Sequence, residues 1–184
     1  VNSDTGESNE VYRYKPGPYT DMSVYDFKVG ADGTFYITNN YKNSGSQVGE
    51  LLAIRPNGEM KWRLSGSEEL GGLSISKDGT IYVNAAGRST EIDSETTGVL
   101  YAVNSNGEIE WEREGGGSVG FSIYANRPVI GADGTIYNIG DNHGATACYA
   151  FNPEDGSEKW QLPTLNNSVQ LFLGGNGLLY TTEY

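Results

Sequence analysis

The chain has 184 residues, and its 24 aspartates and glutamates outnumber its 12 lysines and arginines, which gives a formal net charge of −12. A field of this sign repels phosphate groups, so the composition argues against nucleic acid and against anionic membrane surfaces as partners. No apolar run reaches about 18 residues, so no membrane-spanning helix is predicted. The single cysteine excludes a disulfide within the chain.

A short phrase recurs along the chain and marks its predicted turns. The triplet Asp-Gly-Thr, with a tyrosine two residues later, lies at 32–36, 78–82 and 133–137, and a degenerate copy ends at Tyr180. Asp-Gly between alternating apolar residues is a strong signal for a β-hairpin. We therefore predict a two-residue turn with positive φ angles at each copy. Its glycines have a structural role: Gly33, Gly79 and Gly134.

A second phrase follows each of the first three copies and ends in a tryptophan. The tryptophans are Trp62, Trp111 and Trp160, each 49 residues after the one before. The phrase contains an Asn-Gly or Asp-Gly pair, which predicts a second hairpin in each unit. Two hairpins make a four-stranded antiparallel sheet of the kind that forms a propeller blade. A tryptophan at a fixed place in the fourth strand is expected to be buried between neighbouring sheets.

The two phrases divide the chain, taken as one domain or part of one, into approximate repeats. These are a half unit, three whole units and another half unit: 1–18, 19–66, 67–115, 116–164 and 165–184. The predicted fold class is all-β, a β-propeller built of four-stranded antiparallel blades with about three whole blades and two half blades. Propellers usually have 4 to 8 blades. We therefore expect a fragment of a larger propeller, completed by the remaining blades of a parent protein or by a second copy.

The first half unit has the sequence pattern of the third and fourth strands of a blade. Residues 1–6 resemble the third strand and turn at 103–107, and residues 11–14 stand where a tryptophan strand is expected. The last half unit, in contrast, stops after a second strand. An alternative to the fragment is therefore a compact four-bladed ring, in which residues 11–14 pair with the chain's own last hairpin.

With these motifs, the chain resembles the propellers with quinoprotein-type repeats, also described as pyrroloquinoline-quinone-like. The resemblance rests on the Asp-Gly-Thr-x-Tyr turn and on a pattern of Ala, then Asp or Asn, then Gly, then Trp. The full pattern is matched by Ala150, Asn152, Gly156 and Trp160. The pattern with one residue deleted is matched by Ala102, Asn104, Gly107 and Trp111, and, with arginine at the acidic or amide position, by Ala53, Arg55, Gly58 and Trp62.

This resemblance implies the propeller fold over nearly the whole chain, but not one activity. Similar repeats occur in quinone-dependent dehydrogenases, in an outer-membrane β-barrel assembly lipoprotein and in many secreted bacterial proteins. In the dehydrogenases the quinone is bound with calcium on the propeller axis, and several have a vicinal disulfide. This chain has no adjacent cysteine pair, and without the other blades no set of Glu, Asn and Asp can be mapped onto those metal ligands. We predict no cofactor.

The connection between the second and third strands varies in length among the units, which predicts loops on one face. In repeat proteins such a face often binds the partner. The loops are rich in amides, hydroxyls and carboxylates, which suit a polar partner such as a protein or carbohydrate. The candidate binding residues are Asn39, Asn40, Tyr41, Arg88, Asp141, Asn142 and His143.

No catalytic or metal-binding residue is predicted. His143 is the only histidine, and a lone histidine makes neither a zinc site nor a catalytic pair. Cys148 alternates with the inward positions of its strand and is expected to be a small core residue. The turn aspartates Asp32, Asp78 and Asp133 each offer one carboxylate, whereas calcium needs several oxygen ligands. We expect them to accept backbone N–H bonds within their turns.

The sequence therefore predicts a non-enzymatic propeller module that serves in binding or scaffolding. The acidic composition, rich in Asn, Ser, Thr, Gly and Tyr and poor in Lys, favours a secreted or surface-exposed bacterial protein, located outside the cell, at the cell surface or in the periplasm. The module would present its polar loops to a protein or glycan. The alternative is part of a propeller enzyme, either quinoprotein dehydrogenase-like or polysaccharide-active.

Overall fold

The computed structural model describes residues 20–86, 98–117, 126–142, 145–163 and 170–182, together with the single residues 5, 8 and 10. Every regular element in these ranges is a β-strand, and they contain no helix. The prediction of an all-β chain is confirmed. Because no helix is present in the described ranges, none of them offers a helix that is long and apolar enough to cross a membrane.

The first sheet is an antiparallel meander of four strands in sequence order. Its strands are β1 (Thr20–Val29), β2 (Phe35–Asn43), β3 (Ser46–Ile54) and β4 (Met60–Gly66). Tight turns join all four strands, so each strand pairs with its sequence neighbour.

The second sheet repeats this order. Its strands are β5 (Leu70–Ile75), β6 (Ile81–Ala85), β7 (Gly98–Val103) and β8 (Ile109–Gly117). The segment between β6 and β7, which contains the predicted binding residue Arg88, lies outside the described residues.

The third sheet has the same antiparallel order. It consists of β9 (Val129–Ile130), β10 (Ile136–Asn142), β11 (Ala145–Phe151) and β12 (Glu158–Pro163). The prediction of four-stranded antiparallel sheets is therefore confirmed for three successive sheets. A hairpin of β13 (Gln170–Leu173) and β14 (Leu179–Thr182) follows them.

The Asp-Gly turns have a different geometry from the predicted one. In the first, the Gly30 amide donates to the Thr34 carbonyl, and the Gly33 amide donates back to the Gly30 carbonyl, which encloses a three-residue loop. Gly33 has a φ of +79°, whereas Asp32 is not among the positive-φ residues. The prediction of a two-residue turn with two positive φ angles is thus wrong. A turn closed by one left-handed glycine forms instead, and this is a common three-residue hairpin loop.

The structural role of the repeated glycines is confirmed by their backbone angles. Gly79 and Gly134 have φ angles of +94° and +85°, close to that of Gly33. A residue with a Cβ atom is strained in this region of the φ/ψ map. The phrase therefore needs glycine at this place in each unit.

In the part of the chain that the structure describes, the core consists of three apolar clusters, each of which lies between two successive units. Leu51 and Ala53 of the first sheet pack with Leu73 and Ile81 of the second. Trp111 of the second sheet packs with residues of β10 and β11, and Ile139 and Cys148 of the third sheet pack with Leu171 of the last hairpin. One sheet cannot bury both faces, so the stack of units provides the core.

Each of the first two tryptophans docks on the next sheet. The Trp62 Nε1–H donates to the Ser105 carbonyl at 2.9 Å, and the Trp111 Nε1–H donates to the Pro153 carbonyl at 2.9 Å. Both acceptors lie in the turn between the third and fourth strands of the following sheet. Trp111 is buried and Trp62 is partly buried, but Trp160 is 41% exposed. The prediction that all three are buried is therefore wrong for Trp160, because no described residue supplies the turn that would cover it.

Candidate functional site

A cavity of about 510 Å³ runs along the first strands of the four units. Strands β1, β5, β9 and β13 all contribute to its walls. The apolar wall includes Val29, Ile75 and Phe172, and the polar groups come from other positions on the same strands or beside them. A concave site with an apolar wall and a few polar groups is the usual form of a ligand pocket. The polar lining residues are Lys28, Ser74, Arg127 and Gln170.

Arg127 is held in this cavity by a buried carboxylate. Its Nε–H donates to Asp26 Oδ2 at 2.7 Å and its Nη2–H donates to Asp26 Oδ1 at 3.0 Å. Asp26 is 6% exposed, whereas the side chain of Arg127 is 54% exposed. The hydrogen bond to Asp26 raises the pKa of Arg127, so the guanidinium stays charged. The pair therefore presents a fixed cation to the cavity.

Asp26 also joins three sheets. It lies in β1, it accepts a hydrogen bond from the Leu73 amide of β5 at 3.1 Å, and it binds Arg127 just before β9. Lys28, two residues along β1, places its Nζ atom 3.8 Å from Asp26 Oδ1. One carboxylate thus faces two cationic side chains, and both of them line the cavity. This gives the cavity a locally positive character in a chain with a net charge of −12.

The residues predicted for a binding loop on the first unit lie elsewhere. Asn39, Asn40 and Tyr41 lie inside β2 and are buried, so the predicted loop is wrong. Strands β2 and β3 extend to the tight turn at 43–46 and pair along their whole length. The polar residues predicted to form a loop form a long hairpin instead, in which Asn40 and Tyr41 bond inside the protein.

Asn40 and Tyr41 have identifiable internal partners. The Asn40 amide accepts from the Leu70 N–H at 2.8 Å and donates to the Leu70 carbonyl at 2.7 Å, so it ties β2 to β5 as a backbone strand would. The Tyr41 hydroxyl donates to the buried Glu50 carboxylate at 3.0 Å. Glu50 also faces Arg63 Nη1 at 3.6 Å. These contacts give both residues a structural role.

The other candidate binding residues are only partly described. Asp141 and Asn142 belong to β10 and pair with Thr146 and Ala145 of β11, so this connection too is a hairpin extension. His143 and Arg88 lie outside the described residues. The described members of this predicted set do not line the cavity.

The turn aspartates are engaged by their own turns, as predicted. Asp32 Oδ1 accepts from the Thr34 amide at 2.9 Å and Asp32 Oδ2 accepts from the Thr34 hydroxyl at 2.8 Å. These bonds, that of the amide first, lower the pKa of Asp32. Hydrogen bonds from the Thr135 hydroxyl and then from its amide lower the pKa of Asp133 in the same way. Within the described ranges, no three His, Cys, Asp or Glu side chains come together as metal ligands.

A second opening of about 900 Å³ continues from the cavity toward these turns. It shares Ile75 and Ile130 with the first cavity and is lined by the turns of the second and third sheets and of the last hairpin. Lys77, Asp78, Tyr82 and Asp133 lie on its wall. Burial raises the pKa of Tyr82 to about 12, so its hydroxyl stays protonated at neutral pH. The lining thus has two cationic side chains along the strands, and one lysine and two aspartates at the turns.

Sequence reasoning did not find Asp26 or Arg127. They lie outside both repeated phrases and are separated by 101 residues. The available signal was weak: Asp26 is a lone acid between Tyr25 and Phe27 in a strand-like segment. A charge at such a place needs a partner when it is buried, but the sequence does not say which one.

Comparison with known proteins gives information about the fold but none about the site. No family model and no curated protein matches the chain. A similar solved structure is the crystal structure of a protein of unknown function from Bacteroides caccae, with 13% sequence identity and a TM-score of 0.56. The match covers 86% of this chain and 52% of that one, so the chain spans about half the length of its structural neighbour. At this identity the likeness concerns the fold alone.

Proposed function

We propose that the chain is an arc of a β-propeller with quinoprotein-type repeats and that it acts as a non-enzymatic binding or scaffolding module of a secreted or surface-exposed bacterial protein. The arc is supported by the common cavity of the first strands, because propeller blades surround a central channel. Three sheets with one strand order and one direction of tryptophan docking also support it.

The ligand in this proposal enters the cavity along the first strands. The observation that carries it is the fixed cation of Arg127, held on Asp26 and accompanied by Lys28, in a cavity whose wall is otherwise largely apolar. Guanidinium and ammonium groups bind carboxylates with charge-assisted hydrogen bonds. Gln170 and Ser74 add neutral polar groups beside them. The proposed partner is therefore a glycan or a protein segment that carries carboxylates.

The acidic surface gives this site its selectivity. A net charge of −12 repels an extended polyanion at long range, while the cavity offers local cations to a short acidic segment. A neutral glycan has no carboxylate to pair with the two cations. Binding is therefore expected to be specific for short carboxylated ligands and to weaken as salt is added.

Calorimetric titration tests this proposal with defined probes. Trigalacturonate and triglutamate are the acidic probes, and maltotriose is the neutral control. Lys28→Gln removes one cavity cation without unpairing Asp26, and Lys42→Gln is the matched control at the exposed tip of β2. We expect at least one acidic probe to bind and Lys28→Gln, but not Lys42→Gln, to weaken it at least fivefold. Binding of neither acidic probe, or equal effects of the two variants, would refute the cavity as the site.

A further inference from the structure

A groove of about 220 Å³ lies between the first and second sheets. The first sheet contributes residues of β3 and β4 and the segment that follows β4, and the second sheet contributes residues of all four of its strands. We call this recess the inter-sheet groove. It shares no lining residue with the cavity that contains Lys28 and Arg127. Its volume is below the range of about 300–1,000 Å³ that is usual for ligand pockets, so it suits a single side chain of a partner.

The wall of the inter-sheet groove is largely apolar. Leu51 and Val83 belong to the buried core between the two sheets, and Leu64 packs against the same core. Ile109 also lines the groove and is 45% exposed. An aliphatic chain placed along Ile109 would remove this apolar surface from water, which favours binding.

Two carboxylates lie on the same groove. The Tyr101 hydroxyl donates to Glu68 Oε2 at 2.7 Å, so the second sheet fixes the carboxylate that follows the first. Glu112 lies opposite Tyr101 in the register of β7 and β8. In the part of the chain that the structure describes, the Glu112 carboxylate makes no hydrogen bond or ion pair, and only the backbone carbonyl of this residue is an acceptor. The groove thus combines one oriented acid with one unpaired acid.

The charge of the groove is not balanced by its own lining. Among the described residues that line it, none is a lysine or an arginine. The whole chain also has a net charge of −12. Such a field attracts a basic partner at long range. A cationic group with an apolar stem therefore complements the groove in both charge and polarity.

The next pair of sheets shows that a guanidinium fits in this kind of place. Arg113 of β8 lies at the register that Leu64 has in β4, two places after the tryptophan of its strand. It donates from Nε to the Gly156 carbonyl and from Nη2 to the Asp155 carbonyl of the third sheet. Between the first and second sheets, leucine stands at this register, so the chain places no cation there.

We infer that the inter-sheet groove receives an arginine side chain of a basic protein partner. The aliphatic stem of that arginine lies along Leu64 and Ile109, and its guanidinium bonds Glu112 and reaches Glu68. A guanidinium is more weakly hydrated than an ammonium and matches a carboxylate with two parallel hydrogen bonds, so it suits a recess that is partly apolar. This site differs from the cavity of the proposed function in its residues and in the sign of its charge, and it does not depend on that function.

NMR titration of the isotope-labelled chain of residues 1–184 tests this inference with end-blocked tripeptides. Tri-arginine is the probe, tri-citrulline is its neutral isostere, and tri-lysine has the same charge without the guanidinium. We expect tri-arginine to shift the backbone amide signals of Tyr101 and Ile109 to saturation. Tri-lysine should bind at least threefold more weakly, and tri-citrulline should cause no saturable shift. Binding of tri-arginine should weaken as salt is added.

Two glutamates of β8 provide matched variants. Glu112→Gln and Glu110→Gln each remove one negative charge from the same strand, but only Glu112 lines the groove. Glu112→Gln should weaken tri-arginine about threefold, as expected for one exposed ion pair, and Glu110→Gln should leave its affinity unchanged. Ile109→Ala should also weaken binding, because the stem loses its apolar contact. The amide spectrum of each variant verifies that it is folded.

Three results would overturn the inference. Equal effects of Glu112→Gln and Glu110→Gln would mean that net charge alone attracts the peptide. Equal affinities for tri-arginine and tri-lysine would contradict a guanidinium site. Shifts that saturate elsewhere and leave the signals of Tyr101 and Ile109 unchanged would place the peptide outside the groove. The acidic probes of the cavity report on a different site, so their binding is unaffected by any of these outcomes.

Discussion

Asp26 and Arg127 form a two-point ion pair between the first strand of one sheet and the segment that precedes the first strand of a sheet two units later. The carboxylate is buried and the guanidinium is half exposed. The Leu73 amide of the sheet between them bonds the same carboxylate. Three sheets are therefore held together near the cavity by one acidic group.

Replacement of Arg127 by methionine should destabilise the chain by about 3 kcal/mol, the low end for breaking a buried ion pair, because the arginine is half exposed. The cost arises from the Asp26 carboxylate, which stays buried without its cation. Urea unfolding measures the change. Asp26→Asn combined with Arg127→Met should cost less than the sum of the single changes. Strict additivity would show that the pair contributes nothing beyond its separate parts.

The three tryptophans should differ in their contribution to stability. Trp111→Ala is expected to cost about 3 to 5 kcal/mol, as for other large core truncations. Trp160→Ala should cost less than about 1 kcal/mol, because it is an exposed position. Thermal or urea unfolding gives both values. Equal losses at the two positions would mean that Trp160 is covered in the folded chain.

Substitutions at two glycines distinguish the cost of backbone strain from the cost of losing a tryptophan contact. Gly156 and Gly177 both have positive φ angles, +65° and +78°, but only Gly156 lies against a tryptophan, while a Cβ atom on Gly177 would meet nothing within 4 Å. Gly177→Ala should therefore cost about 1 to 2 kcal/mol from the backbone alone. Gly156→Ala should add about 1 to 3 kcal/mol of overpacking against Trp111. Unfolding midpoints of the two variants provide the comparison, and equal losses would argue against the docking contact.

The aspartate turns predict a dependence of stability on acid pH. The Thr135 hydroxyl, followed by its amide, lowers the pKa of Asp133 below the ordinary value of 3.8. A carboxylate whose pKa is lower in the folded chain stabilises it above the unfolded pKa, and this contribution is lost as the pH falls through the folded pKa. Carboxyl-carbon NMR titration of the Thr135→Val variant should show the Asp133 pKa moving up toward 3.8. An unchanged titration would contradict the assigned bond.

The thiol of Cys148 should be unreactive while the protein is folded. Burial raises its pKa to about 11, so very little thiolate exists at pH 8. An aromatic disulfide reagent should label the folded chain slowly and the urea-unfolded chain at once. Rapid stoichiometric labelling without denaturant would show that β11 is not packed against the last hairpin.

The sheets could be predicted from the sequence because the residues that specify each turn and strand lie close together in the chain. Gly33 and Asp32 specify a turn within five residues, and Trp62 marks a strand by its spacing from Trp111. The detailed turn geometry was wrong because Asp-Gly is compatible with loops of two and of three residues. The bonds of Asp32 to Thr34, not the glycine alone, accompany the longer loop.

The cavity could not be predicted in the same way, because its polar residues come from strands that meet only in the stack. Among the described residues the partner of Arg127 lies in another sheet, and the position of Arg127 in the sequence does not identify Asp26. Asn40 illustrates the opposite error, since an amide in a polar stretch reads as a solvent-exposed loop until the backbone of Leu70 is found beside it. The composition of a segment shows which polar groups it contains. Packing against the neighbouring sheet determines whether those groups hydrogen-bond to water or to protein.

The docking of Trp62 and Trp111 always points forward, from a sheet to the one that follows it. Disassembly of the stack is therefore unequal at its two ends. Detachment of the first sheet removes Trp62 together with its own strand, whereas detachment of the third sheet leaves Trp111 uncovered on the second sheet. Local opening follows the weakest neighbour contacts in such arrays, so amide exchange should be faster in β12, whose Trp160 is exposed, than in β8, whose Trp111 is buried.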